Sequence, residues 1–128
     1  LGPGEERLVE FKAGRLDLVG SRATPLAAKG LVRVVRTAEG LVHFQWLERP
    51  AEPGLPPLLQ EDFDLIVFPG DAYMKKLRKQ SAQSARIVQL KFPQSGKVLL
   101  FWMQTAPGPE ADAEDERLVE QVNTAIGG

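Results

Sequence analysis

His43 is the only histidine of the 128-residue chain, and there is no cysteine. General acid–base work near neutral pH most often uses an imidazole, and Cys–His chemistry or a thiolate metal site needs a thiol. A Ser–His–Asp arrangement needs a nucleophile on a strained elbow, and no G-x-S-x-G occurs. The carboxylates of Glu61, Asp62 and Asp64 match no calcium-loop spacing and read as a solvated loop. No glycine-rich phosphate loop follows a strand, and His43 lies mid-strand, where a packed or half-exposed imidazole is ordinary. The chain is expected not to be an enzyme, and no metal or cofactor is expected.

The bulk figures point the same way. An apolar share of 43%, 26% charged residues and a net charge of −1 suit one globular domain with its own core. So balanced a charge gives no general pull toward nucleic acid or an anionic membrane. The lack of cysteine suits a reducing compartment, so cytoplasm and nucleus are expected. No apolar run approaches the roughly 18 residues of a membrane helix. Residues 1–7 are read as a disordered or added start, because Leu1-Gly2-Pro3-Gly4 has neither a basic head nor an apolar stretch. The domain is placed at 8–126.

Alternation with period two dominates to about residue 104 and predicts seven strands. They fall at Arg7–Val19, bent at Ala13-Gly14, and at Leu31–Thr37, Leu41–Leu47, Phe63–Phe68, Ala72–Leu77, Arg86–Phe92 and Lys97–Gln104. Between them, 20–30 and the proline-broken 48–62 (Pro50, Pro53, Pro56, Pro57) read as loops, with a polar stretch at 78–84. A helix is expected over Ala111–Ile126, with Leu118, Val122, Ala125 and Ile126 on one apolar face and Val119 beside it. Asp112, Glu114 and Asp115 suit the positive end of its dipole. Seven antiparallel strands and one amphipathic helix predict a mainly β, pleckstrin-homology-like bent sandwich or barrel, its open end covered by the helix.

In an up-and-down meander alternate turns share one end of the sheet. Leu41, Phe68 and Phe92 stand at the lips of three such turns, with Asp71 beside them as a carboxylate acceptor. Converging apolar residues at loop tips make a protein-binding patch. At the opposite end Thr24, Pro25, Leu77 and Trp102 could line a groove for an extended peptide. Trp46, flanked by Val42 and Phe44 on one strand face, reads as core.

Five blocks in order carry a family likeness: Leu8-Val9-Glu10-Phe11-Lys12-Ala13-Gly14, Lys29-Gly30-Leu31-Val32, Leu41-Val42-His43-Phe44-Gln45-Trp46, Ile66-Val67-Phe68-Pro69 and Leu100-Phe101-Trp102-Met103-Gln104. Over about residues 8–125 the chain resembles the Pru domain (pleckstrin-like receptor for ubiquitin) of the proteasomal ubiquitin receptor, adhesion-regulating-molecule family. The resemblance implies a pleckstrin-like fold that binds ubiquitin and ubiquitin chains through the loops at one end. It implies docking on the large scaffold subunit of the proteasome regulatory particle through the other end, and a monomeric isolated domain. Carried over by position, the ubiquitin-facing residues would be Leu41, Phe68, Asp71 and Phe92, and the scaffold-peptide residues Thr24, Pro25, Leu77 and Trp102. The chain departs from the family at Gly70, where a paired acid is usual, at Val98, where a base is frequent, and in its longer 48–62 and 78–85 segments. The family's second, helical domain, which recruits a deubiquitinating enzyme, has no counterpart in these residues.

Two other readings compete. A phosphoinositide-binding pleckstrin-homology domain would use basic residues such as Lys12, Arg15, Arg22 and Lys29, which are scattered and matched by acids. A polyproline-binding module would need an exposed aromatic groove, for which Trp102 is the single candidate.

Overall fold

One strand serves two sheets because its sequence lets it bend. The computed structural model describes residues 3–77 and 86–127. β1 (Glu6–Val19) buries Val9, Phe11 and Ala13 on one face. It pairs antiparallel with β3 (Gly30–Arg36) over Glu6–Lys12, then bends and pairs with β8 (Lys97–Met103) over Ala13–Arg15. Its last residues, Leu16–Val19, pair with β2 (Arg22–Pro25), a strand within a segment that read as loop. Gly20, at φ +61°, makes that hairpin turn possible, and β2 escapes periodicity because all four of its residues are exposed.

β4 (Val42–Glu48) pairs with β3, and β5 (Leu58–Ile66) with β4. β5 therefore opens five residues before the predicted Phe63 and closes two before Phe68. Exposed leucines at 58 and 59 and the acids at 61, 62 and 64 hide its alternation, and a register shift opposite Gln45–Leu47 breaks it. Of the prolines before β5, Pro57 has a packing role. Pro57 and Leu59 wall a cavity with Val35 and Leu47, which lie outside the main core yet are 1% and 4% exposed.

The second sheet holds β6 (Tyr73–Lys76), β7 (Ile87–Phe92) and β8. Strand order is β5-β4-β3-β1-β8-β7-β6, with β2 on β1, so eight strands form among the described residues where seven were expected. Among the described residues β5 and β6 do not pair: the fold is a bent, open sandwich and not a barrel. Its core joins Val32, Val34, Phe44, Trp46, Met74, Val88, Leu90 and Phe101 from both sheets.

Helix α1 (Ala111–Gly127) lays Leu118, Val119, Val122 and Ile126 on this core, with Ala125 partly buried. Asn123 docks it further: its Oδ1 accepts from Met74 N–H at 2.7 Å, and its Nδ2 donates to Met74 O at 2.8 Å. One side chain so satisfies the backbone of the edge strand β6 as a neighbouring strand would. Asp112 and Glu114 occupy the first turn as expected, and Asp115, one residue further on, is fully buried in an ion pair.

Candidate protein-binding surfaces

Phe68 is 55% exposed, the position of an aromatic that the core does not use. The chain passes here from the edge of one sheet to the edge of the other. Val67 N–H donates to Val42 O at 2.9 Å, which sets Phe68 beside Leu41 at the 37–41 turn. The turn after Phe68 is locked twice: Phe68 N–H donates to Asp71 Oδ2, and Asp71 N–H to Phe68 O, both at 2.9 Å. Gly70 between them takes φ +87°, a conformation costly to most side chains, so the residue that departs from the family pattern suits this turn. Ala72 then enters the core and Tyr73 pairs with Lys91, which leaves Phe92 next to the same link. Leu41 and Phe92 are half-buried, Phe92 packing partly on the core with Lys97 Nζ 6.0 Å from its ring centroid.

The structure thus gathers Leu41, Phe68, Asp71 and Phe92 at the end where the 37–41, 67–72 and 93–96 turns lie. Half-exposed Ile66, paired with His43, extends the apolar surface along β5. Asp71 differs from the expectation in one respect: one of its carboxylate oxygens is engaged in shaping the Phe68 turn. Glu39 adds negative charge. Its own backbone N–H, and next the Thr37 hydroxyl, hold its carboxyl below the ordinary range. His43 itself is tied down, Nδ1 lying 2.9 Å from Asp64 Oδ1, which also accepts from Gln45 Nε2 at 3.1 Å.

At the other end Trp102 lies on the outer face of β8, half-buried between the inward-facing Phe101 and Met103. It pairs with Gly14 and Ile87, and Leu77 N–H donates to Ile87 O at 2.9 Å, so Leu77 falls in line across β7. On the other side Trp102 Nε1 donates to Leu26 O at 3.1 Å, next to exposed Thr24 and Pro25. Gly14 makes this possible, since a Cβ there would meet the Trp102 indole and the Gln104 amide. All four predicted groove residues are therefore placed along one edge-to-edge line. A groove of about 650 Å³ runs from Trp102 toward the start of α1; of the four predicted residues Trp102 alone lines it, and Thr24, Pro25 and Leu77 lie outside its walls.

Two constellations at this end were missed. Gln104 is a junction: its Oε1 accepts from Gly30 N–H and Arg49 Nη2 at 2.9 and 2.8 Å, and its Nε2 donates to Ala28 O at 3.1 Å. Asp115, 0% exposed, receives Arg86 Nη1 at 2.9 Å and faces Lys76 Nζ at 3.2 Å. Burial pushes the Lys76 ammonium down, but the hydrogen bonds it donates to Asp112 and Asp115, with their charges, outweigh this and raise the net value. Periodicity could not have paired Asp115 with cations 29 and 39 positions away in sequence, whereas Gln104 closes one of the family-like blocks. Of the basic residues considered for a phospholipid site, Arg15 is half-buried and engaged with aromatic rings. Its guanidinium carbon lies 4.8 and 4.4 Å from the Trp46 and Phe63 ring centroids.

An open antiparallel sandwich closed by a C-terminal helix, with loop tips at one end and an aromatic groove at the other, defines a pleckstrin-homology-like domain. Residues 8–119 match the family model described as Proteasome complex subunit Rpn13, Pru domain. The proteasomal ubiquitin receptor ADRM1 of Mus musculus is 38% identical over 98% of the chain, which covers 28% of that protein. The Drosophila melanogaster homolog is 37% identical over 86% of the chain, covering 25% of its length. Proteasomal ubiquitin receptor ADRM1-B of Xenopus laevis is 37% identical over 90% of the chain and 26% of its own length. This chain belongs to the Rpn13 Pru-domain family. It spans under a third of the length of these curated relatives.

Proposed function

We propose that this domain is a non-enzymatic ubiquitin receptor of the proteasome regulatory particle, acting in cytoplasm and nucleus. The end formed by Leu41, Phe68, Asp71 and Phe92 binds ubiquitin, singly or in chains. The groove end, with Thr24, Pro25, Leu77 and Trp102, holds a peptide of the large scaffold subunit. The relatives' names support the first role, and the observation that carries it is Phe68, more than half exposed on a turn that Asp71 locks. An aromatic held in water on a rigid turn is a preformed anchor, so little ordering entropy is lost when a partner covers it. Glu39 and Asp71 keep the rim negative, which favours a partner whose apolar patch has a basic border.

Fully burying an apolar side chain of this size contributes roughly 1.5–3 kcal/mol, and association entropy offsets much of the sum. The result is reversible binding, suited to a receptor that passes its cargo on. Phe68→Ala is expected to weaken ubiquitin binding by about 2 kcal/mol, roughly thirtyfold, in an NMR titration. Because Phe68 contributes little to the core, the spectrum of the free variant should remain that of the folded domain. A variant that binds ubiquitin as the parent does removes the assignment.

A further inference from the structure

The Arg86–Asp115 pair joins three parts of the chain. Arg86 precedes β7, and its backbone O accepts from Met103 N–H at 2.8 Å. Its guanidinium Nη2 donates to Thr105 O at 2.7 Å and lies 3.3 Å from the Thr105 hydroxyl. Nη1 donates to Asp115 Oδ1 at 2.9 Å and reaches Ala111 O at 3.5 Å. The residues so gripped bracket the link from β8 to α1. That link, with Thr105, Pro107 and Gly108, is one wall of the groove beside Trp102, and Arg86 itself lines the groove.

A buried ion pair is a weak device for stability alone, since well-packed apolar residues often serve as well or better. A guanidinium can do something else: its planar fork grips a carboxylate and a carbonyl at once in fixed geometry, which an ammonium cannot. Asp115, with Lys76 on its second oxygen, is the anchor that aims the fork.

We propose that Arg86, anchored by Asp115, is the positioning residue of the groove, holding the 104–111 wall in the shape that receives an extended peptide. The binding consequence rests on the proposed reading of the groove; the positioning does not.

The test uses the full 128-residue chain with Arg86→Met and Asp115→Leu combined, which removes the grip and leaves Lys76 paired with Asp112. Amide hydrogen exchange is followed by NMR, together with titrations of ubiquitin and of a synthetic C-terminal peptide of the scaffold subunit. Exchange over 104–111 should quicken about tenfold or more, while the 67–72 turn changes less than about twofold. Peptide affinity should fall about fivefold or more, with ubiquitin affinity held within about twofold. Arg86→Lys, which keeps the charge but loses the fork, should quicken the same amides less, and it replaces the double variant should that fail to fold. Unchanged exchange over 104–111, or an equal rise at both ends of the domain, overturns the proposal. Selective loosening in a protein whose parent form ignores the peptide supports the positioning and removes the peptide reading instead.

Discussion

Gly30→Ala should be among the most damaging single-methyl changes in the domain, and the reason is local. Gly30 opens β3 without positive φ, so the backbone itself admits alanine. The added Cβ, however, would overlap the Trp46 indole at Cζ2, Cε2 and Nε1. That indole cannot retreat. Trp46 is 1% exposed, has Arg15 over its ring and meets the Phe63 ring edge-on at 6.3 Å. Its Nε1 donates to Ala13 O at 2.8 Å. Overpacking a tight core costs about 1–3 kcal/mol. Shifting the indole off Ala13 O adds about 1–3 kcal/mol for an unsatisfied buried carbonyl. Stiffening of the unfolded chain returns about 0.4–1 kcal/mol. The net expectation is roughly 1–5 kcal/mol, read by urea denaturation at unchanged slope, with Tm lowered by about 4 °C or more. Gly30→Ala within about 0.5 kcal/mol of the parent would mean that the indole has room, and the packing reasoning would fail.

Three further outcomes are expected. Asn123→Leu strands the Met74 N–H and C=O on the edge of β6 and should cost roughly 2–4 kcal/mol in chemical denaturation. Asp71→Ala frees the Phe68 turn and should weaken ubiquitin binding about tenfold by calorimetry, whereas Asp71→Asn, whose amide oxygen can still accept from Phe68 N–H, should lose less. Equal losses would assign Asp71 to charge alone. Lys76 has a folded pKa above its unfolded one, so its stabilising contribution is fully present below about pH 10.4 and is lost as pH climbs through the folded value. The stability gap between parent and Lys76→Met, measured by denaturation, should hold steady up to about pH 10 and narrow above it.

The core was legible in the sequence because it alternates. Phe44 and Trp46, or Phe101 and Met103, sit two apart on strands whose other residues are more exposed, and the helix face repeats at 118, 122 and 126. β2 and the first half of β5 were not legible, since neither buries a regular face: β2 is fully exposed and held through its backbone pairs with β1. The charged lock at Asp115 was hidden for another reason. An acid near a helix start has a ready local explanation in the dipole, and only the tertiary fold brings Arg86 and Lys76 to it. The candidate residues were easier to find than their roles. Spacing marks Phe68 and Asp71 as turn neighbours, but that the carboxylate is spent on holding the turn depends on backbone geometry at Gly70.

Both surfaces are set by β1, and that fixes how they relate. The stretch Glu6–Lys12 pairs with β3, whose far end turns into Leu41; Ala13–Arg15 pairs with β8 and brings Gly14 against Trp102; Leu16–Val19 pairs with β2 and carries Thr24 and Pro25. A continuous strand hydrogen-bonded along its length cannot hinge in the middle without breaking ladder bonds, and the bend at Ala13 is filled by a fully buried methyl and by the Trp46 indole bonded to its carbonyl. The two ends therefore ride on one rigid element and share no side chain among those assigned to them. A partner held at one end would be presented at a fixed angle to a partner held at the other. In the role proposed above, that rigidity is the mechanical content of the fold.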